Sequence, residues 1–468
     1  MKPGVELRGK HVLVVGLART GVATALFCAA RGARVTATDT LPAAELAEAV
    51  ARLSTAGVAL EPGGHRRESF LAADLIVPSP GVAYDQPDLI AARKNGVAVW
   101  SEIELAWRFL RGRLVAVTGS NGKTTTTALI GHILKTAGLP VQVGGNIGTP
   151  LVSLVDASRD DSICVVELSS FQLEAIVAFR PDISVFLNLT PDHMDRHGSL
   201  EAYAAAKARI FENQKREDAA VMNADDPAST RYAPARPRIY WFSRKKEVAQ
   251  GACLRGDDIF FCQGDAEARL LSRAEVPLRG LHNLENVLAA VTAASLAGAA
   301  PGVIAEGVRT FPGVEHRLQF VASIGGVEFF NDSKATNVDA TEKALESFPG
   351  NLLVILGGKD KGSDYAPLRA LLAARARRAF LIGAAAQKIA GQIEGAVPLE
   401  MSGTLEAAVN AAYGAARPGD IVLLAPACAS FDQFQNFEHR GRVFVELVRR
   451  LAAQNEAAVS QSGTGGKR

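Results

Sequence analysis

Short apolar runs alternate with longer alanine-rich or amphipathic stretches along most of the chain. The first cycle predicts a strand at residues 11–15, a helix at 23–30 and a second strand at 34–38 that ends at Asp39. Strands that alternate with helices favour parallel sheets covered by helices on both faces. We therefore expect an α/β protein. The same pattern predicts further strands at residues 75–77, 97–100, 114–117, 163–167, 183–187, 327–330, 352–356, 379–382 and 421–424.

The length of the chain implies more than one domain. A single core stops growing at roughly 250–300 residues, and this chain has 468. We divide the chain into domains at residues 1–108, 109–310 and 311–468. The run 298–302 contains a proline between two glycines and is a candidate linker. The tail from about residue 454 is rich in Ser, Gly and Gln, so we expect it to be frayed.

Composition and charge exclude several classes of protein. Hydrophobic residues make up 48% of the chain and charged residues 21%, which excludes a disordered, collagen-like or coiled-coil protein. The net charge of +2 argues against a broad nucleic-acid surface. Apolar runs stay below the ~18 residues of a membrane span, and the start has no secretory segment. We expect a cytoplasmic protein without membrane contact. Its scattered cysteines predict reduced core thiols: Cys28, Cys164, Cys253, Cys262 and Cys428.

The run 118–124, with the sequence TGSNGKT, is the strongest single motif. It lies between the predicted strand at 114–117 and a predicted helix at 125–135. In such a loop, backbone N–H groups and the helix N-terminus face a phosphate group. Lys123 would reach the β- and γ-phosphates of ATP, and the hydroxyl of Thr124 would hold Mg²⁺. An ordinary glycine-rich turn is the alternative, and ATP binding is the interpretation that we favour.

Two further features of the central region suggest chemistry, and a third, Lys207, does not from its pattern alone. Glu167 ends a predicted strand, where a carboxylate faces the ligand crevice of an open α/β sheet. We predict that it binds metal, and the alternative is that it caps the next helix. The loop 188–197 contains two Asp, two His and an Arg beyond a strand end, so we expect it at the site. From the pattern alone, Lys207 is expected to be a solvated surface lysine of the helix 204–211.

The first turn, residues 16–21, has the spacing Gly-x-Gly-x-x-Gly, with Ala18 in place of the middle glycine. That glycine normally lets the backbone approach a pyrophosphate. Asp39 ends the next strand, where an acid that binds ribose would lie. NAD binding, looser binding of a nucleotide or nucleotide sugar, and a purely structural turn all remain open from this motif.

The C-terminal third carries polar clusters at the ends of predicted strands. They lie at residues 312–317, 331–337, 357–362 and 425–434. Turn chemistry explains their glycines, but it does not explain four cations together. These cations predict a pocket for carboxylate or phosphate groups, and they are Arg317, Lys334, Lys359 and Lys361.

Taken together, these motifs resemble the Mur ligases over about residues 9–450. Sister ligases that add other amino acids look different at 167–171 and 332–336, so the resemblance extends to the type of ligase that adds D-glutamate. Folylpolyglutamate synthetases share the style of phosphate loop but lack the N-terminal unit. The segments that carry the resemblance are 118–124 (TGSNGKT), 145–148 (GNIG), 167–173 (ELSSFQL), 192–196 (DHMDR), 282–286 (HNLEN), 331–337 (NDSKATN) and 430–434 (SFDQF).

The resemblance implies three domains and one reaction. A Rossmann-like N-terminal domain would bind the UDP part of the substrate, a central P-loop domain would bind ATP, and a Rossmann-like C-terminal domain would bind the amino acid. The implied reaction adds D-glutamate to UDP-N-acetylmuramoyl-L-alanine through an acyl phosphate, in peptidoglycan precursor synthesis. It implies two Mg²⁺ ions, ATP as co-substrate and CO₂ bound as a lysine carbamate. We expect a monomer whose partners are these small molecules and not nucleic acid or membrane.

The resemblance also assigns residues to roles. The catalytic set is Lys123, His193 and Lys207, and Lys207 would carry the carbamate, which replaces its interpretation as a surface lysine. The metal ligands are Thr124, Glu167, His193 and the Lys207 carbamate. The ATP set is Gly119, Ser120, Asn121, Gly122, Lys123, Thr124, Thr125, Asn283, Arg317, Asp332 and Lys334. The UDP-substrate set is Arg19, Thr20, Asp39, Thr40, Ser79, Asn146 and His193. The D-glutamate set is Thr336, Lys361, Ser430, Phe431 and Phe437.

Two other classes of function compete with an ATP-dependent ligase. One is a nicotinamide oxidoreductase that uses the first turn, and Ala18 and the second nucleotide loop argue against it. The other is a non-catalytic module whose binding is gated by a nucleotide. The release of ADP only when both acceptor substrates are present would eliminate the second class.

Overall fold

The computed structural model describes residues 4–464 and confirms an α/β fold built on three sheets. The chain forms two compact units. The first contains the chain up to Pro277 together with His282–Phe311, and the second contains Leu278–Leu281 and the chain from Pro312 onward. The first unit holds two of the sheets and the second unit holds the third.

The N-terminal sheet is parallel and has the order β3-β2-β1-β4-β5. Its strands are β1 (His11–Val15), β2 (Arg34–Asp39), β3 (Ala59–Pro62), β4 (Leu75–Pro78) and β5 (Ala98–Val99). Its helices are α1 (Arg19–Ala30), α2 (Ala47–Thr55), α3 (Arg67–Ala72), α4 (Pro87–Lys94) and α5 (Glu102–Phe109). Val12 and Val14 pack into one apolar cluster, while Leu13 and Val15 pack into another. Both faces of the sheet are therefore covered, as the continuous apolar run of β1 predicts.

The central sheet has the order β14-β13-β12-β11-β10-β9-β6-β8-β7. Its strands are β6 (Arg113–Thr118), β7 (Val141–Gly145), β8 (Ile163–Glu167), β9 (Ile183–Phe186), β10 (Ala219–Asn223), β11 (Arg238–Ser243), β12 (Gln250–Arg255), β13 (Asp258–Gln263) and β14 (Ala266–Ser272). The helices of this region are α6 (Lys123–Thr136), α7 (Ser170–Leu173), α8 (Met194–His197), α9 (Leu200–Ala208), α10 (Pro227–Thr230), α11 (Leu281–Ala297) and α12 (Pro301–Arg309). The pairs β12–β13 and β13–β14 are antiparallel and extend an otherwise parallel sheet.

The run 298–302 is not a linker between domains, so that prediction is wrong. Pro301 is the first residue of α12, a position that suits proline because its N–H would be unpaired there. Helix α12 packs against α6, and a Cβ at Gly307 would lie 2.9 Å from Cα of Ile133. The run therefore forms a turn between α11 and α12.

The C-terminal sheet has the order β15-β16-β20-β17-β18-β19 and is parallel except at the edge strand β15. Its strands are β15 (Gln319–Ile324), β16 (Val327–Asn331), β17 (Leu352–Gly357), β18 (Ala376–Ile382), β19 (Leu399–Gly403) and β20 (Ile421–Leu424). Its helices are α13 (Val338–Glu346), α14 (Leu368–Arg375), α15 (Ala386–Ile393), α16 (Leu405–Ala415) and α17 (Phe437–Thr464). Because β20 lies between β16 and β17, the loops that follow these three strands meet at one edge.

Residues 454–464, where the sequence predicts a frayed tail, belong to helix α17, which continues through Thr464. Alanine, glutamine and glutamate dominate the start of this segment and are good helix formers. The Tyr413 hydroxyl also donates to Oδ1 of Asn455 at 3.1 Å, which fixes the helix there. Residues 465–468 lie outside the described residues.

The prediction of reduced core thiols is confirmed, because all five cysteines are buried thiols in the structure. Across residues 4–464, no helix combines the length and the apolar character that a membrane span requires.

Candidate active site

The loop between β6 and α6 has the backbone geometry expected of a phosphate-binding loop, the name used for it below. Gly119 has a φ of 151° and Gly122 a φ of 83°, conformations that glycine adopts most readily. A Cβ at Gly122 would lie 2.1 Å from Oδ1 of Asn286, so no side chain fits there. The Lys123 ammonium donates to the carbonyls of Gly119 and Ser120, at 3.0 and 2.9 Å. The loop therefore holds its own lysine at the N-terminus of α6, which is a favourable place for an anion.

Thr124, Glu167 and Asn146 form a hydrogen-bonded set at the carboxyl edge of the central sheet. The Thr124 hydroxyl donates to Oε2 of Glu167 at 2.8 Å, and the Asn146 amide donates to Oε1 at 2.9 Å. Helix α7 is capped by Ser169, so the alternative role of Glu167 as a helix cap is wrong. The structure thus joins one residue of the predicted UDP-substrate set, Asn146, to two predicted metal ligands.

The donor set around Glu167 fits magnesium. Mg²⁺ takes oxygen ligands and is usually bound by one or two carboxylates, with phosphates and waters completing its shell. Thr124 and Glu167 supply a hydroxyl and a carboxylate next to the phosphate-binding loop. The described part of the chain contains no group of three or more His, Cys, Asp and Glu side chains that could hold a metal ion. Phosphate and water would therefore have to complete the shell of a magnesium ion at Glu167.

Lys207 is buried beneath the phosphate-binding loop, and its prediction as a surface lysine is wrong. Only 1% of the residue is exposed, and its ammonium donates to the Gly119 carbonyl at 2.8 Å. It also lies 4.5 Å from the ring centroid of Tyr203. Burial, followed by repulsion from Lys123, lowers the pKa of Lys207 well below its usual value. This amine is therefore suited to react as a neutral base rather than to stay a solvated cation.

The loop that follows β9 is tied to the phosphate-binding loop. The Asn121 N–H donates to Oδ1 of Asn188 at 2.9 Å, and the Ser120 hydroxyl donates to the Thr190 carbonyl at 2.9 Å. Burial raises the pKa of Tyr203 to about 12, against a hydrogen bond with Ser120 that lowers it. Sequence reasoning missed Tyr203, although an aromatic residue one turn before a lysine on the same helix face is a usable signal.

His193 is held at the tip of this loop by aromatic contacts. It has a φ of 55°, its ring centroid lies 4.9 Å from that of Phe171 and 6.4 Å from that of Tyr203, and its Nε2 lies 3.6 Å from Asp192. Tyr203 also contacts Lys207, so one ring links two predicted catalytic residues. His193 itself is half-exposed.

A second network behind His193 joins the central and N-terminal sheets. Arg196 donates to the Val82 carbonyl at 2.9 Å and to Oε2 of Glu174 at 3.0 Å. His197 lies 2.9 Å from the Ser170 hydroxyl. Arg196 therefore anchors the His193 loop to the segment that follows β4.

The glycines of the first turn have structural roles. Gly16 has a φ of 88°, and a Cβ at Gly21 would lie 1.8 Å from the Gly16 carbonyl oxygen. The Ser79 hydroxyl donates to that carbonyl at 2.8 Å. Gly21 therefore allows α1 to pack closely on the turn, as in other βαβ units.

Asp39 organises the backbone at the same edge. Its Oδ2 accepts from the Leu17 N–H at 2.6 Å and its Oδ1 accepts from the Leu41 N–H at 2.9 Å. Arg19 and Thr40 are exposed beside it, while Thr20 is half-buried in the first turn of α1. The predicted UDP-substrate residues Arg19, Thr20, Asp39, Thr40 and Ser79 thus lie around the first turn or at the end of β2 or β4 of one sheet.

In the second unit, the loop after β16 places three predicted residues close together. Asp332 accepts from the Leu318 N–H at 3.2 Å, and burial raises its pKa to about 7, against the opposing effects of that N–H and of Arg317. The Lys334 ammonium lies 5.1 Å from the ring centroid of Phe437. The backbone N–H of Thr336 donates to the Lys334 carbonyl at 2.8 Å.

A buried arginine that sequence reasoning missed holds two of these loops together. Arg440 is fully buried in α17 and donates to the Ser333 hydroxyl at 3.0 Å and the Ser333 carbonyl at 2.8 Å. It also donates to the carbonyls of Cys428 and Ala429. Burial lowers its pKa to about 10, so it stays charged. The sequence carries no local signal for this role because the partners lie about 11 to 107 positions away.

The remaining predicted residues differ in exposure. Ser430 is buried and Phe431 is exposed, immediately beyond β20. Lys361 is exposed in the loop after β17. Asn283 is buried in the first unit, where its Oδ1 accepts from the Asn286 amide at 3.1 Å. Arg317 belongs to the second unit and is half-buried.

Comparison with known proteins identifies the family. Three family models match in order: the Mur ligase MurD-like N-terminal domain at residues 10–101, the Mur ligase middle domain at 117–294, and the Mur ligase glutamate ligase domain at 316–428. Their order and extent match the three sheets.

Relatives cover almost the whole chain. A protein of Acidobacterium capsulatum named UDP-N-acetylmuramoylalanine–D-glutamate ligase is 56% identical over 97% of this chain and 99% of its own length. One of the same name from Koribacter versatilis is 51% identical over 97% of this chain and 100% of its own. The crystal structure of UDP-N-acetylmuramate–alanine ligase from Thermotoga maritima, at 20% identity, has a TM-score of 0.59 over 94% of this chain and 99% of its own, so it shares the fold. This chain belongs to the Mur ligase family.

Proposed function

We propose that this chain is an ATP-dependent ligase that joins D-glutamate to UDP-N-acetylmuramoyl-L-alanine in peptidoglycan precursor synthesis. The observation that carries the proposal is the 56% identity, over 97% of the chain, to a relative whose name states this substrate pair. The phosphate-binding loop, with Lys123, Thr124 and Glu167 in hydrogen-bonded positions, supports the role of ATP. We expect the enzyme to act as a monomer in the cytoplasm.

The proposed reaction begins with phosphoryl transfer. A carboxylate is a poor electrophile, so its oxygen takes the γ-phosphoryl group of ATP and ADP departs. Lys123 neutralises charge on the transferring group from its fixed place at the N-terminus of α6. Thr124, Glu167 and His193 would hold the two Mg²⁺ ions, which when bound supply further charge neutralisation. The ATP set is completed by loop residues 119–125, Asn283, Arg317, Asp332 and Lys334.

Lys207 is proposed to act as a carbamate. Its neutral amine attacks the carbon of CO₂, one C=O π bond breaks, and the nitrogen releases one proton to solvent, which leaves a carboxylate-like group on the lysine. The burial that lowers the pKa of Lys207 favours the neutral amine that this step needs. A carbamate would place an anion with oxygen ligands beside Lys123, and hard Mg²⁺ prefers such ligands.

The second half of the reaction forms the amide. The neutral amine of D-glutamate attacks the acyl carbon, the bond to the phosphate oxygen breaks, and phosphate leaves with the proton that the nitrogen loses. Thr336, Lys361, Ser430, Phe431 and Phe437 would hold D-glutamate, to which buried Ser430 could offer its hydroxyl. Arg19, Thr20, Asp39, Thr40, Ser79, Asn146 and His193 would hold the UDP substrate.

A phosphate-release assay tests the proposal. UDP-N-acetylmuramoyl-L-alanine and ATP are supplied with D-glutamate, meso-diaminopimelate, L-lysine or L-alanine at equal concentration. We expect phosphate release with D-glutamate and little with the others, and none when either acceptor substrate is omitted. Release that is independent of the amino acid would instead support a nucleotide-gated module. Comparable turnover with another amino acid would move the chain to a sister ligase.

A further inference from the structure

Two loops of the C-terminal sheet carry residues that we assign to D-glutamate. The loop after β17 carries Lys361 and the loop after β20 carries Ser430. Because β17 and β20 are neighbouring parallel strands, these loops leave the sheet side by side. The backbone joins them as well, since the Lys359 N–H donates to the Ala429 carbonyl at 2.8 Å. A contact that fixes the position of one loop therefore also affects the position of the other.

Four side chains, Asp360, Tyr365, Lys388 and Cys428, form a group that we call the loop clasp. The Tyr365 hydroxyl donates to Oδ1 of Asp360 at 2.9 Å and lies 3.0 Å from Sγ of Cys428. The Lys388 ammonium donates to the other oxygen of Asp360, Oδ2, at 2.8 Å. Tyr365 and Cys428 are buried, while Asp360 and Lys388 are partly exposed. The clasp ties the loop after β17 to the loop after β20.

The clasp holds one negative and one positive charge. The hydrogen bond from Lys388, and to a smaller extent the one from Tyr365, lowers the pKa of Asp360 to about 2, so Asp360 is a carboxylate. Burial raises the pKa of both Tyr365 and Cys428, so each keeps its proton at neutral pH. The Tyr365 hydroxyl donates its one hydrogen bond to Asp360, so its oxygen can accept a hydrogen bond from the Cys428 thiol.

Lys361 follows Asp360 directly and is exposed. Among residues 4–464, Lys361 has no protein hydrogen bond or ion pair, so its charge remains available to an anionic ligand. If Asp360 lacked Lys388, a full negative charge would lie one residue from the cation that attracts the dicarboxylate. That charge would repel the carboxylates that Lys361 attracts.

We propose that Lys388 is a specificity-determining and positioning residue for the acidic amino acid, because it neutralises Asp360 and fixes the loop that carries Lys361. This inference rests on the proposed function. It assigns Lys388 no contact with the substrate and no part in the chemistry. Its predicted effect is therefore on the KM for D-glutamate and not on the binding of ATP or of the UDP substrate.

The test uses three variants of the full chain. Lys388→Met leaves Asp360 charged and hydrogen-bonded to Tyr365, and it should raise the KM for D-glutamate about five- to tenfold. The value of kcat and the other two KM values should change less than about twofold. Lys388→Arg should restore the parent KM. Asp360→Asn combined with Lys388→Met should also restore it to within about threefold, because the unpaired charge is removed and the amide oxygen still accepts from Tyr365.

Arg378→Met is the matched control. Arg378 forms an ion pair of similar exposure with Glu400, at 3.3 Å, in the first half of β18 and away from these loops. It should leave all KM values unchanged. If Lys388→Met raises all three KM values alike, or if the double variant is no better than Lys388→Met, the inference is overturned. If the parent enzyme does not use D-glutamate, the proposed function fails. An unchanged KM in Lys388→Met, in an enzyme that uses D-glutamate, overturns the inference alone.

Discussion

Lys123 is the residue whose removal gives the sharpest test of the phosphate-binding loop. Lys123→Ala should lower the rate of ADP formation about 10²–10³-fold, because removing one preorganised charge stabiliser costs about that much. Its ammonium donates to two loop carbonyls and the residue is half-buried, so the melting temperature should stay close to that of the parent. Lys135→Ala, in the exposed last turn of α6, is the control and should keep the parent rate. A folded Lys123→Ala enzyme with the parent rate would refute the assignment.

The proposed carbamate on Lys207 can be tested by a measurement other than activity. With carbon-13 bicarbonate, the parent enzyme should give a lysine carbamate signal in its NMR spectrum, and Lys207→Ala should lack it. Lys207→Ala should also be inactive and regain part of its activity with a short carboxylate, because only oxygen ligands are missing. Lys215→Ala, an exposed lysine, should keep both the signal and the activity. An active parent enzyme without the signal would exclude the carbamate.

Helix α5 carries two buried acids, Glu102 and Glu104, whose carboxylates accept hydrogen bonds from backbone N–H groups of the central domain. Oε2 of Glu104 accepts from three successive N–H groups at 177–179, at 2.7 to 2.9 Å, and its Oε1 pairs with Arg108. Oε1 of Glu102 accepts from the Val152 N–H at 2.7 Å, whereas its buried Oε2 has no hydrogen-bond partner within the described residues. Both carboxylate oxygens of Glu104 therefore have hydrogen-bond partners, whereas only one oxygen of Glu102 does.

The two acids should therefore respond differently to pH and to substitution. Burial raises the pKa of Glu102 from 4.5 to about 7, against N–H groups of Val152 and Leu151 that lower it. The folded state then binds more protons than the unfolded state between these values, so the free energy of unfolding falls as pH rises from about 4.5 to about 7. Glu102→Gln should reduce the difference in this free energy between pH 5 and pH 8 by about 1–3 kcal/mol.

Glu104→Gln is the matched comparison on the same helix. It should lower the free energy of unfolding at both pH values by about 2–4 kcal/mol, because it breaks a buried charge pair and part of a three-donor cap. Urea unfolding at pH 5 and pH 8 measures both variants. A pH difference in Glu102→Gln equal to that of the parent would show that Glu102 does not titrate in this window.

At the scale of the whole molecule, sequence periodicity found many of the parallel strands but missed others, namely β3, β7, β10, β11 and β19. The strands predicted at 11–15, 163–167 and 421–424 have the same bounds in the structure. The antiparallel extension β12–β14 was not predicted, because its short runs mix polar and apolar residues without the helices that mark a parallel unit. Edges of sheets are decided by pairing partners, which local pattern does not show.

The site could be predicted from the sequence where a motif fixes local geometry. It could not be predicted where the role of a residue depends on its burial by segments distant in the chain. The loop 118–124 combines its glycines and lysine within one turn, so its form follows from the sequence. Lys207 lies on an alanine-rich helix with no clear apolar face, and its burial comes from contact with Gly119, 88 positions away. Arg440 and Tyr365 likewise acquire their roles from loops distant in the chain.

Selectivity between the enantiomers of the amino acid is a property of the complete site. Two carboxylates of D-glutamate would be held by Lys361 on one loop and by Thr336 and Ser430 on two others, so three points fix its Cα. Inversion at Cα then moves the amine off the line of attack, and an error of about 1 Å in such alignment costs about 10²-fold in rate. L-Glutamate should therefore give at least about 10²-fold lower kcat/KM for ADP formation than D-glutamate. D-Glutamine should also be poor, because donors built for a carboxylate are left unpaired. Equal rates with the two enantiomers would mean that fewer than two carboxylates are held, and the assignments of Thr336, Lys361 and Ser430 would have to be abandoned.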